Sequence, residues 1–450
     1  MNTDPRRIIQ DSPMGALQIL VVALTVALNA LDGFDVMSIS FASPGIAAEW
    51  HVTKAALGVA LSMDLIGMAI GSILLGSLAD RIGRRPTMLL CLVLMVTGMA
   101  MVTTVTGLSG LYCWRIVTGL GIGGLLAAVN AVTAEYANAR RRDLSVSFMS
   151  IGYPVGAVLG GIIVAQLLKD HSWRSVFWFG TGFTALLLPL VFLFVPESVH
   201  WLAQKQPSGA LDKINTALRR MGHPQVAALP QIEAAAITGR FTDIFSPALL
   251  GTTVLLTLAY FFHALTFYFV LKWVPKIVVD MGFAASSAAG VLVWANVGGA
   301  SGGAVLGLLT QRFPVRGLTI AVMLLSTIGV IVFGHSPKDL QSLSALCAFS
   351  GFFTNAAIVG MYAIFARAYP TSVRAFGTGW SIGVGRGGAV LAPMIAGVLF
   401  EGGHPVSTVA TILALGSLLA AGAVSLLKLK PEQAAAAGAD RLAGAAAPGH

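Results

Sequence analysis

The sequence predicts an all-α integral membrane protein whose twelve transmembrane helices form two pseudo-symmetric bundles of six. Hydrophobic residues make up 56% of the 450 residues and charged residues only 10%, which is too few charges to cover a soluble protein of this length. Mean hydropathy is +0.82. Twelve apolar spans can cross a bilayer: 17–41, 55–79, 87–106, 109–134, 145–168, 174–195, 248–271, 284–309, 317–334, 340–365, 373–400 and 405–427.

A polar segment, residues 196–247, separates the sixth span from the seventh and should be a cytoplasmic loop. It divides the chain into an N-terminal bundle within 1–195 and a C-terminal bundle within 248–427. Within the loop, residues 204–220 can form a short amphipathic helix that is too polar to cross a membrane. The Ala-rich residues 428–450 are expected to form a disordered cytoplasmic tail. Two sets of six spans joined by a long loop are typical of transporters built from repeats.

The distribution of basic residues predicts the orientation of the chain. With the N-terminus inside, 20 of the 28 Lys and Arg residues fall on the inner side, and two more fall within spans. The six outer ones are Lys54, Lys169, Arg174, Lys272, Lys276 and Lys338. This bias places both termini in the cytoplasm. Because the basic residues form short clusters between spans rather than a basic face, we expect no nucleic-acid partner. We expect a monomer in the inner membrane of a bacterium.

The two halves also resemble each other in sequence. Residues 76–85 follow the second span, and residues 307–316 follow the eighth at an offset of 231 residues. At the same offset, Gly152 and Gly156 correspond to Gly383 and Gly387. An internal repeat of this length supports two homologous six-helix bundles.

Two acids, Asp32 and Asp35, lie inside the first apolar span, in the segment LDGFD. An ionised carboxylate within a membrane costs at least ~2.5 kcal/mol, so two of them require a reason. At a spacing of three residues both side chains project from the same helical face. They could mark the end of the helix, with both acids in headgroup water. The interpretation we favour is a proton-coupling site that faces a central cavity.

Two arginines also fall within spans. Arg115 lies in the fourth span at a depth similar to that of Asp32, which suits a charge pair, and Arg386 lies near the middle of the eleventh. The alternative for each arginine is a side chain that snorkels from a misjudged helix end. Arginine is a permanently charged, two-pronged donor suited to a carboxylate substrate.

Other residues are candidates for the same cavity. The seventh span offers a stacking surface for an aromatic ring, although aromatic residues in spans also face lipid or pack. The residues of this surface are Tyr260, Phe261, Phe262, Phe267 and Tyr268. His263 and Asn296 are further candidates for substrate contact, against the alternative of hydrogen bonds to neighbouring helices. Asp64 in the second span is either an additional pathway group or an acid near the membrane surface.

The segment GSLADRIGRR, residues 76–85, resembles the loop signature GxxxDRxGRR of the major facilitator superfamily. The resemblance implies that its acid and arginines hold the two bundles together in the outward-facing state. Candidate gating residues on this basis are Gly76, Asp80, Arg81, Gly83, Arg84 and Arg85. Glu135 should lie at the cytoplasmic rim, where it can form a gating charge cluster with Arg140, Arg141 and Arg142. Arg312 belongs to a copy of the signature in the second half, which is weakened because Gln311 replaces the acid.

The combination of LDGFD, Arg115 and the stretch from Tyr369 to Arg386 resembles the aromatic acid:proton symporters of this superfamily. The resemblance covers nearly the whole chain. It implies uptake of a benzoate-like, hydroxybenzoate-like or lignin-derived aromatic carboxylate by alternating access, driven by the proton gradient. Both first-span acids are needed for transport in that family, and the two arginine positions are implicated. Alternatives are a symporter or exporter of another organic anion, or a membrane sensor that binds aromatic acids without moving them.

An enzyme is not expected, because no span carries a metal-ligand cluster or a nucleophile–base arrangement. Cys91, Cys113 and Cys347 lie within spans without CxxC spacing. We therefore expect neither a metal nor a cofactor.

Overall fold

The structure is a computed structural model that describes residues 4–231, 240–370 and 372–427. The first half of the chain forms α1 (Pro5–Asp11), α2 (Ala16–Trp50), α3 (Lys54–Ile82), α4 (Arg84–Val102), α5 (Leu108–Tyr136), α6 (Arg142–Asp170) and α7 (Arg174–Phe194). The linking segment forms α8 (Val199–Lys205), α9 (Ala210–Met221) and the 3-10 helix Phe241–Phe245. The second half forms α10 (Leu250–Asp280), α11 (Ala285–Leu309), α12 (Val315–Gly334), α13 (Leu340–Ala368), α14 (Arg374–Glu401) and α15 (Val406–Leu426). Helices α2–α7 and α10–α15 are long and apolar enough to cross a membrane, which confirms the twelve predicted spans.

The linking segment differs in detail from its prediction. Instead of one helix over 204–220, α8 ends at Lys205 and α9 begins at Ala210, because Pro207 and Gly209 interrupt the helical conformation. Gly209 adopts a positive φ of 71°, which favours glycine. The expected tail, residues 428–450, lies outside the described residues.

The two bundles repeat the same packing. In the N-terminal bundle α2 packs against α6 and α7, and α3 packs against α5. In the C-terminal bundle α10 packs against α14 and α15, and α11 against α13. Between the bundles, α2 contacts α10, α3 contacts α14 and α6 contacts α11. Exchanging the two halves of the chain converts this set of contacts into itself. For example, the contact of α3 with α14 corresponds to the contact of α11 with α6. This confirms the pseudo-symmetric architecture.

Two helices extend well beyond their predicted spans. Helix α2 continues from residue 41 to Trp50 through Pro44, and α10 continues from residue 271 to Asp280 through Pro275. These prolines are 231 residues apart, so the repeat preserves them. Proline is tolerated inside membrane helices because neighbouring helices compensate for the backbone bond that it removes. As a result Lys272, expected in an outer loop, lies inside a helix.

The bundles meet at one end of the molecule. We call the end that carries α1, α8 and α9 the linker side, and the opposite end the far side. Lys54, at the start of α3, donates its backbone N–H to Glu401 at 2.8 Å, and Ser62 donates to the backbone oxygen of Val390 at 2.7 Å. Within the described ranges, all hydrogen bonds and ion pairs that join the two bundles lie in the far half. The structure is therefore closed on the far side.

Candidate charged site between the bundles

In the described part of the chain, the buried charged side chains form one connected group. Among the described residues, the charged side chains that are buried are Asp32, Asp35, Asp64, Arg115 and Lys272. Arg386 is partly buried beside them and is close enough to Asp32 to interact electrostatically. Three acids thus face three cations near the middle of a membrane-spanning structure. Their formal charges balance when all six are ionised, which reduces the cost of placing them in a low-dielectric interior.

Asp64 is the best-connected acid of this group. Its carboxylate Oδ2 accepts a hydrogen bond from Arg115 Nη2 at 2.9 Å and another from Lys272 Nζ at 2.8 Å. Lys272 also donates to the backbone oxygen of Val36 at 2.7 Å. All three charged side chains are completely shielded from solvent. Asp64 is therefore neither at the membrane surface nor isolated: it joins the two bundles through Lys272.

Arg115 does not form the expected pair with Asp32. Its guanidinium is bound within the N-terminal bundle by Asp64, by the backbone oxygen of Asp35 at 3.1 Å and by Ser38 Oγ at 3.2 Å. The group also lies over the ring of Phe177, 5.6 Å from its centroid. With Nη1 and Nη2 engaged and its surface buried, Arg115 is placed to organise neighbouring residues, although its Nε–H has no hydrogen-bond partner among the described residues. This geometry argues against the substrate contact expected for Arg115.

The two acids of the first span have different surroundings. Both lie within continuous helix in the middle of α2, so the helix-end interpretation is wrong. Asp32 interacts electrostatically with Arg386 of the opposite bundle, whereas Asp35 interacts with Arg115 of its own bundle. Neither carboxylate accepts a hydrogen bond from the described part of the chain. Each acid is therefore opposite its own arginine, and both carboxylates are buried without a hydrogen-bond donor.

Glycines of α14 bring Arg386 close to an aromatic surface on α10. A Cβ atom on Gly388 would collide with the backbone oxygen of Phe261, and one on Gly385 would press on the ring of Tyr260. The absence of these side chains lets the two helices approach closely. The Tyr260 hydroxyl lies 3.3 Å from that of Tyr362. The structure thus brings Tyr260 and Phe261 together with Arg386, as the sequence predicted.

Tyrosines from both bundles complete the surroundings of Arg386. Tyr260, Tyr268 and Tyr362 all interact electrostatically with its guanidinium. Tyr153 of α6 lies close to Asp32 and Tyr268. Of these tyrosines, Tyr153 and Tyr362 lie outside the set of residues that the sequence singled out for substrate contact.

Two expected contact residues form hydrogen bonds within the C-terminal bundle. His263 is fully buried in the C-terminal bundle, where Nε2 donates to the backbone oxygen of Thr354 at 2.8 Å and Nδ1 is 2.9 Å from Ser417 Oγ. Asn296 donates to the backbone oxygen of Leu292 in its own helix at 2.9 Å. The two ring nitrogens of His263 are engaged in joining α10 to α13 and α15. Its geometry is that of a packing residue, contrary to the expected role in substrate contact.

The signature segment forms a charge cluster on the linker side. Arg84 Nη1 contacts Asp80 at 2.6 Å, and Nη2 lies 3.4 Å from Glu135. Glu197, which follows α7, accepts hydrogen bonds from the backbone N–H groups of Arg84 at 2.9 Å and Ser198 at 2.8 Å. The Glu197 carboxylate thereby caps the start of α4. Glu135 pairs with Arg84 of the signature segment, and not with the expected cluster of Arg140, Arg141 and Arg142. All partners belong to the N-terminal half.

The remaining gating candidates contribute in different ways. Gly83 has a φ of 112°, and a Cβ there would collide with the Glu197 carboxylate. At Gly76 a Cβ would meet only Ala127, at an ordinary 3.5 Å, so this glycine is not required for close helix packing in this conformation. Arg85 donates to the backbone oxygen of Phe192 at 2.6 Å. Arg81 and Arg312 are both exposed.

Lys272 was the main omission of the sequence-based prediction. The predicted seventh span ended at residue 271, one residue before Lys272, because a lysine and a proline in close succession indicate a loop. The signal that could have found it is the repeat, since Pro44 and Pro275 are equivalent and α2 passes through Pro44. In the part of the chain that the structure describes, no group of three or more His, Cys, Asp or Glu side chains could hold a metal ion.

Comparison with known proteins agrees with this architecture. The family model described as Major Facilitator Superfamily matches residues 25–338 and 256–447. Among solved structures, the partially occluded inward-open xylose transporter XylE of E. coli superimposes with a TM-score of 0.75 at 17% identity, covering 93% of this chain and 99% of that one. At this identity the likeness concerns the fold alone.

Curated relatives extend over nearly the full length. The chain is 30% identical to a gallate transporter of Pseudomonas putida over 92% of this chain and 93% of the relative. It is 31% identical to the 4-hydroxybenzoate transporter PcaK of Pseudomonas putida, over 93% and 94%. A benzoate transport protein of Acinetobacter baylyi is 26% identical over 88% and 86%. These matches, together with twelve apolar helices in two bundles, describe a multi-pass membrane transport protein and not an enzyme. The chain belongs to the major facilitator superfamily and, within it, to the aromatic acid symporter family.

Proposed function

We propose that this protein imports a monocyclic aromatic carboxylate together with a proton across the inner membrane of a bacterium, by alternating access. The observation that carries the proposal is the balanced group of three acids and three cations, with Asp32 and Arg386 facing each other from opposite bundles. Relatives named for gallate, 4-hydroxybenzoate and benzoate support the substrate class.

The charge balance favours joint movement of an anion and a proton. A bound carboxylate alone would leave one excess negative charge in the buried site, and a proton alone would leave one excess positive charge. Bound together they restore neutrality, which minimises the cost of an uncompensated charge in a low-dielectric environment. Import of an aromatic anion is then most favourable when a proton accompanies it.

Arg386 is the residue best placed to hold the substrate carboxylate. Its guanidinium has Asp32 as an acidic neighbour, and no described acid is within salt-bridge distance of it. When Asp32 takes up a proton it no longer attracts Arg386, and the guanidinium becomes available for a two-pronged bond to a carboxylate. Competition between Asp32 and the substrate for one arginine thus couples the two cargoes.

The aromatic part of the substrate would rest among the tyrosines around Arg386. Tyr260, Tyr268 and Tyr362 offer ring faces for stacking, and their hydroxyl groups can bond ring substituents. Phe261 borders the same helix face of α14. In this assignment Asp35 and Arg115 form the second acid–arginine pair, which connects the proton site to Asp64.

The excess of basic residues on the linker side supports a cytoplasmic location for that side and for the chain termini. With that orientation the closed far side makes this an inward-facing conformation. The cluster of Asp80, Arg84 and Glu135 is internal to one bundle in this state. We assign it the task of bonding the C-terminal bundle when the cytoplasmic side closes.

The test is transport by purified protein in liposomes. A counterflow screen should show exchange of radiolabelled 4-hydroxybenzoate against benzoate, hydroxybenzoates, gallate or methoxylated benzoates. Exchange should be much weaker against succinate or muconate, which lack an aromatic ring. Exchange of non-aromatic acids only would indicate a different organic-anion transporter, and binding without any exchange would indicate a sensor. Either result would overturn the proposal.

A further inference from the structure

The far side is closed by layers of contact between α3 and helices of the opposite bundle. At the rim, Lys54 bonds Glu401 through its backbone and lies 3.9 Å from Asp280 through its ammonium. One turn further in, Gly58 packs directly against the backbone of Pro393 in α14. Ser62 follows, bonded to the backbone oxygen of Val390. The innermost layer is the ion pair of Asp64 and Lys272.

This innermost pair differs in kind from the rim contacts. Lys54 and Asp280 are both substantially exposed, and an exposed ion pair contributes little because water screens it. Asp64 and Lys272 are both inaccessible to solvent, and Asp64 Oδ2 lies 2.8 Å from Lys272 Nζ. Water does not screen such a buried pair, so breaking it is far more costly than breaking an exposed one.

The two partners of Asp64 are not equivalent when the bundles separate. Arg115 belongs to the same bundle as Asp64 and can remain bonded to it. Lys272 belongs to the other bundle, so opening the far side removes it both from Asp64 and from the Val36 oxygen. The motion therefore requires Lys272 to leave its two acceptors while Asp64 retains a cation.

We propose that the Lys272–Asp64 pair holds the far side closed and that departure of Lys272 from Asp64 is the step that opens it. The pair acts as a positioning element for the transport cycle, without contact to substrate. This inference rests on alternating access in the proposed function, but its test needs no substrate. A failure of aromatic acid transport and a failure of the ion-pair proposal are therefore distinguishable.

The test uses the accessibility of one introduced cysteine. Ser62→Cys is placed in a protein in which Cys91, Cys113 and Cys347 are replaced by alanine. A membrane-impermeant maleimide is then applied to intact cells, from the far side. Because Ser62 is fully buried within the closed layers, labelling should be slow in this parent. Lys272→Met should accelerate it at least about tenfold, since loss of a buried partner strongly favours separation. Asp64→Asn, which keeps Lys272, should also accelerate labelling.

Matched variants separate this role from general damage. Lys276→Met changes a lysine on the same helix whose partner, Asp280, lies in that helix, and it should leave labelling at the parental rate. Lys272→Arg keeps the charge and should keep labelling slow. A protein whose single cysteine is the buried native Cys91 reports unfolding, and its labelling should not rise with Lys272→Met. The proposal is overturned if folded Lys272→Met and Asp64→Asn label no faster than Lys276→Met.

Discussion

The guanidinium of Arg115 donates to the backbone oxygen of Asp35 at 3.1 Å and leaves the Asp35 carboxylate without a hydrogen-bond donor among the described residues. The carboxylate oxygen Oδ1 points toward Gly180 of α7, at 3.4 Å from the position a Cβ would take there. Arg115 is therefore near enough to influence the charge of Asp35 but does not neutralise it by direct bonding. This placement supports the proton-coupling role that we propose for Asp35.

Asp32→Asn and Asp35→Asn should each abolish accumulation of 4-hydroxybenzoate driven by a pH gradient, because neither amide can carry the proton. Counterflow, which needs no net proton movement, should persist in at least one of the two variants. The measurement is uptake into proteoliposomes with an alkaline interior. Asp170→Asn, which changes an exposed acid at the end of α6, should accumulate substrate normally. Normal accumulation by both site variants would contradict the assignment of the acids.

Arg386→Lys should weaken substrate binding about tenfold, equivalent to ~1.4 kcal/mol, because lysine keeps the charge but loses the two-pronged geometry. The change should appear in the KM for 4-hydroxybenzoate in counterflow. Arg312→Lys, at an exposed position on the linker side, is the matched control and should leave KM unaltered. An unchanged KM in Arg386→Lys would argue against direct contact with the carboxylate.

Gly83→Ala should destabilise the protein by about 1–2 kcal/mol, because alanine resists the positive φ at this position. The added Cβ would also displace the Glu197 carboxylate that caps α4. Gly76→Ala in the same segment should change stability by less than about 0.5 kcal/mol, since its Cβ has ordinary space. Thermal unfolding of the two purified variants in detergent makes the comparison. Equal stability of the two would contradict it.

Burial raises the pKa of Glu197 above its ordinary 4.5, and this outweighs the opposing influence of the N–H donors of Ser198, Arg85 and Arg84. A raised folded-state pKa means that the protonated form is favoured by folding. That stability is fully present below pH 4.5 and is lost as the pH rises through the folded-state pKa. Glu197→Gln does not titrate and still offers an oxygen to the same donors. The thermal midpoint of the variant should therefore rise relative to wild type between pH 4 and pH 7. A relative fall over that interval would contradict this account.

The architecture was predictable because apolar composition and span length alone require membrane helices, and the repeat at 231 residues requires two similar halves. The acids of α2 and the arginine of α14 were also predictable, since a charge in an apolar span demands a partner or a function. Asp80 and Arg84 were singled out by the signature segment, whereas the pairing of Glu135 with Arg84 was not foreseen. The close approach of Tyr260 to the helix that carries Arg386 depends on glycines of α14, and it became visible only in the structure.

The partners of the charges could not be predicted. Depth along a helix gave Asp32 as the partner of Arg115, but rotation about the helix axis decides which acid faces the arginine. The structure selects Asp64. His263 shows the same limit, because only the position of α13 and α15 reveals that both ring nitrogens are engaged. Lys272 was misplaced because its helix continues through Pro275.

Substrate-induced proton movement tests the central claim most directly. Proteoliposomes that contain a trapped pH-sensitive dye are mixed with 4-hydroxybenzoate in the absence of any imposed gradient. Symport predicts acidification of the lumen that begins with substrate addition, saturates with its concentration, is abolished in Asp32→Asn and does not occur with succinate. Uptake of labelled 4-hydroxybenzoate at the same rate without luminal acidification would contradict proton coupling through this site.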